Sequence, residues 1–175
     1  MDLERIVAWV KGREKPKATA PAPCDPAVEF PHSENGALFN RMKEDSKIAA
    51  PEKGSAWVMG GYEIRTHPDL TSILYDLVAE SGVKKGYVFG RPMLANPKGI
   101  VFAYASGTHY VFFKLREDRL DAASRDGGRL DPTYGRDWIE FRLGGRTGGS
   151  TDWQEAMRRW ANIAYQDSLS IGGVT

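Results

Sequence analysis

The 175-residue sequence predicts an α+β fold, in which helices pack on a curved antiparallel sheet of about five strands. Three short apolar runs, Tyr87–Phe89, Ile100–Ala105 and Tyr110–Leu115, are separated by turn-forming residues at 96–99 and 106–108. Turn residues between apolar runs indicate an antiparallel meander. Helical patterns precede and follow these runs, so we expect the meander to form the centre of the domain.

Composition is typical of a globular protein, with 41% hydrophobic and 27% charged residues. The formal net charge of +1 gives no overall attraction to nucleic acid or to an anionic membrane surface. Nucleic-acid binding is therefore expected less than protein contacts or small-molecule binding. No apolar run approaches the roughly 18–20 residues of a membrane-spanning helix, and the N-terminus lacks a signal-peptide pattern. We therefore expect a cytoplasmic protein without membrane association.

The N-terminal 27 residues are expected to form a separate extension. Asp2–Lys11 places apolar residues at helical spacing, and an Ala-, Pro- and Lys-rich arm follows. This helix is predicted to dock on its own domain or on a second copy of the chain. Residues 28–168 are predicted to be one α+β domain with a core at 66–168, and residues 169–175 a flexible tail.

Two helices and a short hairpin are expected before the meander. Ala37–Lys47 has a helical apolar pattern, and two extended pieces flank a bend at Gly60-Gly61. The clearest helix has its apolar stripe over Leu70–Val78. Residues 66–69 supply a capping side chain, a first-turn proline and an acid, and Ser81-Gly82 ends the helix.

The remaining elements follow the meander. Glu117–Ser124 is predicted to be a surface helix and residues 126–137 a turn followed by an irregular loop. Trp138–Leu143 alternates as a half-buried strand does, although Trp138 falls out of phase with Ile139. A helix capped by residues 150–152 ends the domain. Its predicted inward-facing residues are Trp153, Met157, Trp160, Ala161, Ala164 and Tyr165.

This order of elements resembles the TfoX/Sxy N-terminal domain family, which is similar in architecture to YjbR/MmcQ-like proteins. Within residues 70–167, the matching stretches are Phe89–Met93, Gly99–Ala103, Tyr110–Leu115, Leu130–Pro132, Gly135-Arg136 and Trp138-Ile139. The sequence differs from full TfoX proteins in its N-terminal arm and in lacking their C-terminal helix-hairpin domain. The resemblance implies an α+β fold and a regulatory role through protein contacts, without a set of catalytic residues.

The residues themselves indicate no catalytic or metal centre. The three histidines, His32, His67 and His109, lack metal-ligand spacing, and Cys24 is a single thiol in the Pro-rich arm. No serine lies in a nucleophile elbow. We therefore expect no metal, no cofactor and no catalytic residues, and a non-enzymatic function is favoured.

Basic and aromatic residues near the meander provide the candidate ligand-binding residues, namely Arg91, Lys114, Arg136 and Trp138. Alternation along Tyr110–Leu115 puts Lys114 on one face with Tyr110 and Phe112. Such a face can bind anions or peptide strands. It is more often a cross-strand aromatic ladder with solvated charges and one or two Arg–carboxylate pairs.

Two functions follow from the sequence. The first is a TfoX-like, non-enzymatic protein that acts through protein–protein contacts or self-association. The second is a small-molecule or anion-binding module, or an enzyme, that uses a cleft lined by the four candidate residues.

Overall fold

The computed structural model describes residues 30–48, 57–59, 62–64, 66–131, 133–143 and 152–171. Within these ranges the chain forms four α-helices and two antiparallel sheets, so the predicted α+β class is confirmed. The predicted helix Asp2–Lys11, the Pro-rich arm and the bend at Gly60-Gly61 lie outside the described residues.

The secondary structure follows the chain in a simple order. The helices are α1 (Gly36–Ile48), α2 (Pro68–Asp76), α3 (Glu117–Arg125) and α4 (Asp152–Ser170). The small sheet consists of β1 (Trp57–Met59) and β2 (Tyr62–Ile64). The main sheet consists of β3 (Lys84–Val88), β4 (Arg91–Ala95), β5 (Val101–Ser106), β6 (Tyr110–Lys114), β7 (Arg129–Leu130) and β8 (Trp138–Arg142). Its strand order is β3-β4-β5-β6-β8-β7, and every neighbouring pair is antiparallel.

The main sheet has six strands where about five are predicted, and β4 and β7 are strands that the sequence does not indicate. A two-residue turn, Phe89-Gly90, joins β3 to β4, and both residues have positive φ (49° and 74°). Asparagine, aspartate or glycine usually occupies such turns, so a phenylalanine at this position gives no sequence signal for a hairpin. Pro92 also argues against an interior strand. It is tolerated because the pairing of β4 with β5 begins only at Met93.

A β-bulge shifts the register between β4 and β5. Leu94 pairs with Ala103 whereas Ala95 pairs with Val101, which leaves Phe102 as the extra residue on β5. As a result, Phe102 and Ala103 both belong to the core on one side of the sheet. Val101 packs in the core on the other side. Simple alternation along β5 therefore fails at this point.

Helices α2, α3 and α4 cover one side of the main sheet, which we call the three-helix face. Of the residues predicted to face inward from the last helix, Met157, Trp160, Ala161, Ala164 and Tyr165 are buried there, and Trp153 is partly buried. The helix continues to Ser170, into the segment assigned to a flexible tail. Among the described helices, none has both the length and the apolar character needed to cross a membrane.

The opposite side of the sheet, which we call the Tyr104 face, is covered in part by the segment Phe30–Ile48. Phe30, Leu38 and Met42 are buried against apolar side chains of the sheet. Because both sides of β8 are covered, Trp138 packs in this core while Ile139 packs under the helices. This explains why the two residues are out of phase in the sequence.

Asn35 joins this segment to the sheet. Its buried amide nitrogen donates to the carbonyls of Phe30 (3.0 Å) and Gly99 (2.8 Å). Its carbonyl oxygen accepts a hydrogen bond from the backbone N–H of Val101 at 2.9 Å. One side chain thus satisfies three backbone groups in the interior, where unpaired polar groups are costly.

His67 provides the N-cap of α2. Its Nδ1 atom accepts a hydrogen bond from the backbone N–H of Asp69 at 3.2 Å, and Pro68 follows in the first turn. This agrees with the predicted start of the helix. Burial lowers the pKa of His67 below its usual 6.5, although the nearby Asp69 carboxylate opposes this effect.

Replacing Asn35 by alanine is expected to lower the free energy of unfolding by about 2–4 kcal/mol, because it leaves buried backbone groups without partners. Chemical denaturation measures this change. The control is Asn40→Ala on the exposed side of α1. Equal losses from the two substitutions would contradict the role of Asn35.

Stability is expected to fall as pH drops below 6.5, in part because of His67. The unfolded chain protonates this imidazole near pH 6.5, whereas the folded chain does so only at lower pH, so acid favours unfolding within this interval. His67→Asn keeps a capping acceptor but does not titrate. Denaturant midpoints at pH 7.5 and 5.5 should therefore fall less for this variant than for the wild type. Equal decreases would exclude His67 as a source.

Candidate functional site

An aromatic cluster of Tyr104, Phe112, Tyr134 and Trp138 forms the centre of the Tyr104 face. The Tyr104 ring stacks on Phe112, with centroids 4.4 Å apart and planes 3° apart. Trp138 and Tyr134 make edge contacts with the same ring, at centroid distances of 5.1 Å and 5.6 Å. Tyr104 on β5 pairs with Phe112 on β6, so strand register produces the stack.

Arg91 lies beside this cluster and is 7% exposed. Its Nε atom donates to the Ser106 hydroxyl at 3.3 Å, from β4 to β5. Its Nη1 atom exposes less than 1 Å² and has no hydrogen-bond partner among the described residues. The ion pairs of the described part of the chain also do not include Arg91. A guanidinium group is thus buried without a matching carboxylate from the part of the chain that the structure describes.

The Tyr104 hydroxyl is a second buried polar group without a partner in the described part of the chain. Burial raises the pKa of Tyr104 well above its usual value of 10. Tyr134 raises this pKa further, and the positive charge of Arg91 opposes the increase. The hydroxyl therefore stays protonated at neutral pH and is available as a hydrogen-bond donor.

The other sequence-predicted site residues have different surroundings. Lys114 lies between two carboxylates, at 3.6 Å from Glu34 and 3.5 Å from Asp137, so its charge is already matched. Trp138 pairs with Lys114 across β8 and β6, but it is buried in the core. Arg136 is exposed and has no ion pair with any described residue. The structure thus brings Arg91, Lys114 and Trp138 to one face, and Arg136 lies exposed in the loop that precedes Trp138.

Glu140 is a buried acid on the same face and is 8% exposed. It pairs with Phe112 across β8 and β6, and its carboxylate lies 3.0 Å from the Arg129 guanidinium. Burial raises the pKa of Glu140 above its usual 4.5, and the charge of Arg129 opposes this increase. Because the Arg129 side chain is 75% exposed, solvent screens this ion pair, which contributes little to stability.

An open depression of about 360 Å³ lies elsewhere, between the end of α2 and β3. It is lined by residues from Tyr75 to Val83 and by Lys85. The Lys85 ammonium lies 5.4 Å from the centre of the Tyr75 ring, so the aromatic side of this depression already contacts a cation of the protein. No group of three potential metal ligands occurs among the described residues. The Tyr104 face therefore carries the strongest features of a site.

Three site residues were absent from the sequence-based set, namely Tyr104, Ser106 and Glu140. Tyr104 has a recognisable signal, because its hydroxyl is the single polar side-chain group within the apolar run Ile100–Ala105. Glu140 has none, since alternation along Trp138–Leu143 predicts an exposed acid. It is buried because β8 lies inside the sheet, between β6 and β7.

Comparisons of the chain with models of known protein families, with curated proteins and with solved structures found no match. The TfoX-like resemblance therefore stays a prediction, and the site is interpreted from its own geometry.

Replacing Tyr104 by phenylalanine is expected to raise the free energy of unfolding by about 1 kcal/mol, because it removes a buried hydroxyl without a partner but keeps the stacked ring. Thermal and urea denaturation measure this change. Tyr110→Phe is the control, since the Tyr110 side chain is only half-buried on the same face. A loss of stability in Tyr104→Phe would show that the hydroxyl is hydrogen-bonded in the folded protein.

Proposed function

We propose that this protein binds a small ligand through an acidic group, a carboxylate or a phosphate, at the Tyr104 face. The observation that carries the proposal is the Arg91 guanidinium, which is buried and lacks a hydrogen-bond partner at Nη1 among the described residues. Burial of a charge is expensive unless an opposite charge or hydrogen-bond acceptors compensate it. An anionic ligand would supply both.

Lys114 provides an internal comparison. On the same face, this cation has carboxylates at 3.5 Å and 3.6 Å, although its side chain is 14% exposed. Arg91 is more deeply buried and has no such neighbour in the described part of the chain. The fold thus neutralises one cation and leaves the other able to accept an anion, which is the pattern expected of a binding residue.

The polar groups around Arg91 are suited to an oxyanion. The Ser106 hydroxyl accepts from Arg91 Nε, so its own proton can be donated to a ligand. The Tyr104 hydroxyl is a second neutral donor, and Arg91 Nη1 is a charged donor. Three donors without a competing acceptor among the described residues fit the oxygens of a carboxylate or phosphate. The half-buried Tyr134 ring, at the edge of the aromatic cluster, offers an apolar contact for the rest of the molecule.

A role in protein contacts is the second candidate. Leu130 on the edge strand β7 is 47% exposed, which is the single large exposed hydrophobic side chain among the described residues. An edge strand with an apolar side chain can pair with a partner. This candidate retains the TfoX-like expectation of a regulatory protein that acts through contacts. We place either activity in the cytoplasm, as the sequence predicts.

Arg91→Met is expected to abolish binding of acidic ligands while the fold remains intact, because methionine fills similar space without the charge. The probes are benzoate and phenyl phosphate at millimolar concentration, measured by thermal shift and calorimetry. The wild type should respond to at least one of them, and the stronger response distinguishes carboxylate from phosphate.

The matched control for this experiment is Arg136→Met, because Arg136 is an exposed arginine whereas Arg91 is buried. This variant should bind as the wild type does. The proposal fails if neither probe binds the wild type, or if Arg136→Met loses as much affinity as Arg91→Met.

A further inference from the structure

The edge of the main sheet at β7 is open to a further strand. β7 is the last strand in the sheet order, and among the described strands it pairs with β8 alone. The Leu130 side chain is 47% exposed and the Arg129 side chain is 75% exposed. An open edge that carries an exposed leucine can add a strand from another chain.

The ladder between β7 and β8 determines which backbone groups face this open edge. The Asp131 N–H donates to the Trp138 carbonyl at 3.3 Å, and Arg129 lies opposite Glu140 in the same register. Hydrogen-bonded positions alternate along an antiparallel ladder, so Arg129 and Asp131 direct their N–H groups at β8. Leu130 lies between them and therefore directs both its N–H and its C=O at the open edge.

The neighbours of Leu130 leave one register for pairing with a second copy of the chain. An extension of the strand would also turn residues 128 and 132 outward. The Gly128 N–H is already donated to the Ala123 carbonyl at 2.9 Å, and Pro132 has no N–H to donate. Two antiparallel copies can therefore exchange a pair of N–H···O=C bonds only where Leu130 lies opposite Leu130 of the partner subunit.

This register also matches the charges of the strand with those of its copy. With the two leucines opposite each other, Arg129 lies opposite Asp131 of the partner subunit, and the twofold axis repeats the pair. Alternation places Arg129 and Asp131 on the same face of the strand, so their side chains meet across the contact. A strand with a cation opposite Arg129 would be repelled instead.

Both charged residues are able to make this contact. The Asp131 carboxylate accepts a hydrogen bond from the Thr133 N–H at 2.9 Å, but it has no ion pair with any described residue. The Arg129 guanidinium lies 3.0 Å from Glu140 and carries five N–H donors, so it can bind a second carboxylate without releasing the first.

We propose that two copies of this chain associate through β7, in an antiparallel pair centred on Leu130 that joins their six-stranded sheets into one. This inference rests on the contact role proposed for β7, whose partner it names, and it does not depend on anion binding at Arg91. Leu130 lies opposite Ile139, which packs under the helices, so the two leucines meet on the three-helix face. Because the contact is short, the dimer is reversible.

Two measurements on the full wild-type chain test this pairing. The sedimentation coefficient should rise with protein concentration between about 10 µM and about 1 mM, as expected of a small, reversible contact. Over the same range, hydrogen exchange of the Leu130 amide should slow at least about fivefold, because the dimer turns an outward N–H into a hydrogen-bond donor. A dimer formed through another surface would leave this amide unchanged.

Charge reversal tests the register. Arg129→Glu and Asp131→Lys should each weaken dimerisation about tenfold, because each places like charges opposite one another. A one-to-one mixture of these two variants should associate again, since both facing pairs then have opposite charges. Arg158→Glu is the control, because it makes the same change at an exposed arginine of α4 and should dimerise as the wild type does. Circular dichroism checks the fold of each variant.

The outcomes separate this inference from anion binding. A wild type that stays monomeric over the whole range overturns the inference. A dimer without slower exchange of the Leu130 amide overturns it too, as does a mixture of folded charge variants that associates no better than each variant alone. Arg91→Met should dimerise as the wild type does. Loss of anion binding and loss of the dimer are therefore observed separately, and the failure of one proposal leaves the other standing.

Discussion

Strand β5 lies between β4 and β6, and its residues Val101–Ala105 are buried on both sides of the sheet. A strand in this position needs a covering layer on each face. Helices α2, α3 and α4 provide one layer, and the segment Phe30–Ile48 provides part of the other. Any polar group on β5 must then be satisfied inside the protein. The Tyr104 hydroxyl has no partner in the described part of the chain, which makes it an exception to this rule.

Arg91 and Tyr104 each bury a polar atom that has no hydrogen-bond partner in the described part of the chain, and they lie on neighbouring strands. Asn35 and Asn96, by contrast, follow the usual rule that buried polar groups are hydrogen-bonded, because each bonds at least two backbone groups. Departures from local rules tend to occur at functional positions, where stability is given up for binding. The clustering of two departures at one point is therefore the main reason to place a site on the Tyr104 face.

The sequence predicts the elements that depend on local patterns. The apolar stripe and cap of α2 identify that helix, and turn residues reveal the pairing of β5 with β6. It does not reveal β4, because Phe89 occupies a turn position with positive φ and Pro92 interrupts the strand pattern. Arg91 was identified from its loop-like surroundings, although it lies at the start of a strand. Glu140 could not be identified, since its burial depends on strand order in the sheet, which neighbouring residues do not encode.

The hydrogen bonds of Asn35 have a consequence for the order of folding. They join residues that are 64 and 66 positions apart, whereas the hairpins of the meander close over a few residues. Closing a long loop costs more chain entropy, so we expect the meander to form first and the N-terminal segment to dock onto it. During synthesis on the ribosome, Phe30, Leu38 and Met42 emerge before the strands that bury them exist. Their apolar side chains are then exposed until β5 has been made, which is the interval in which a chaperone would recognise this chain.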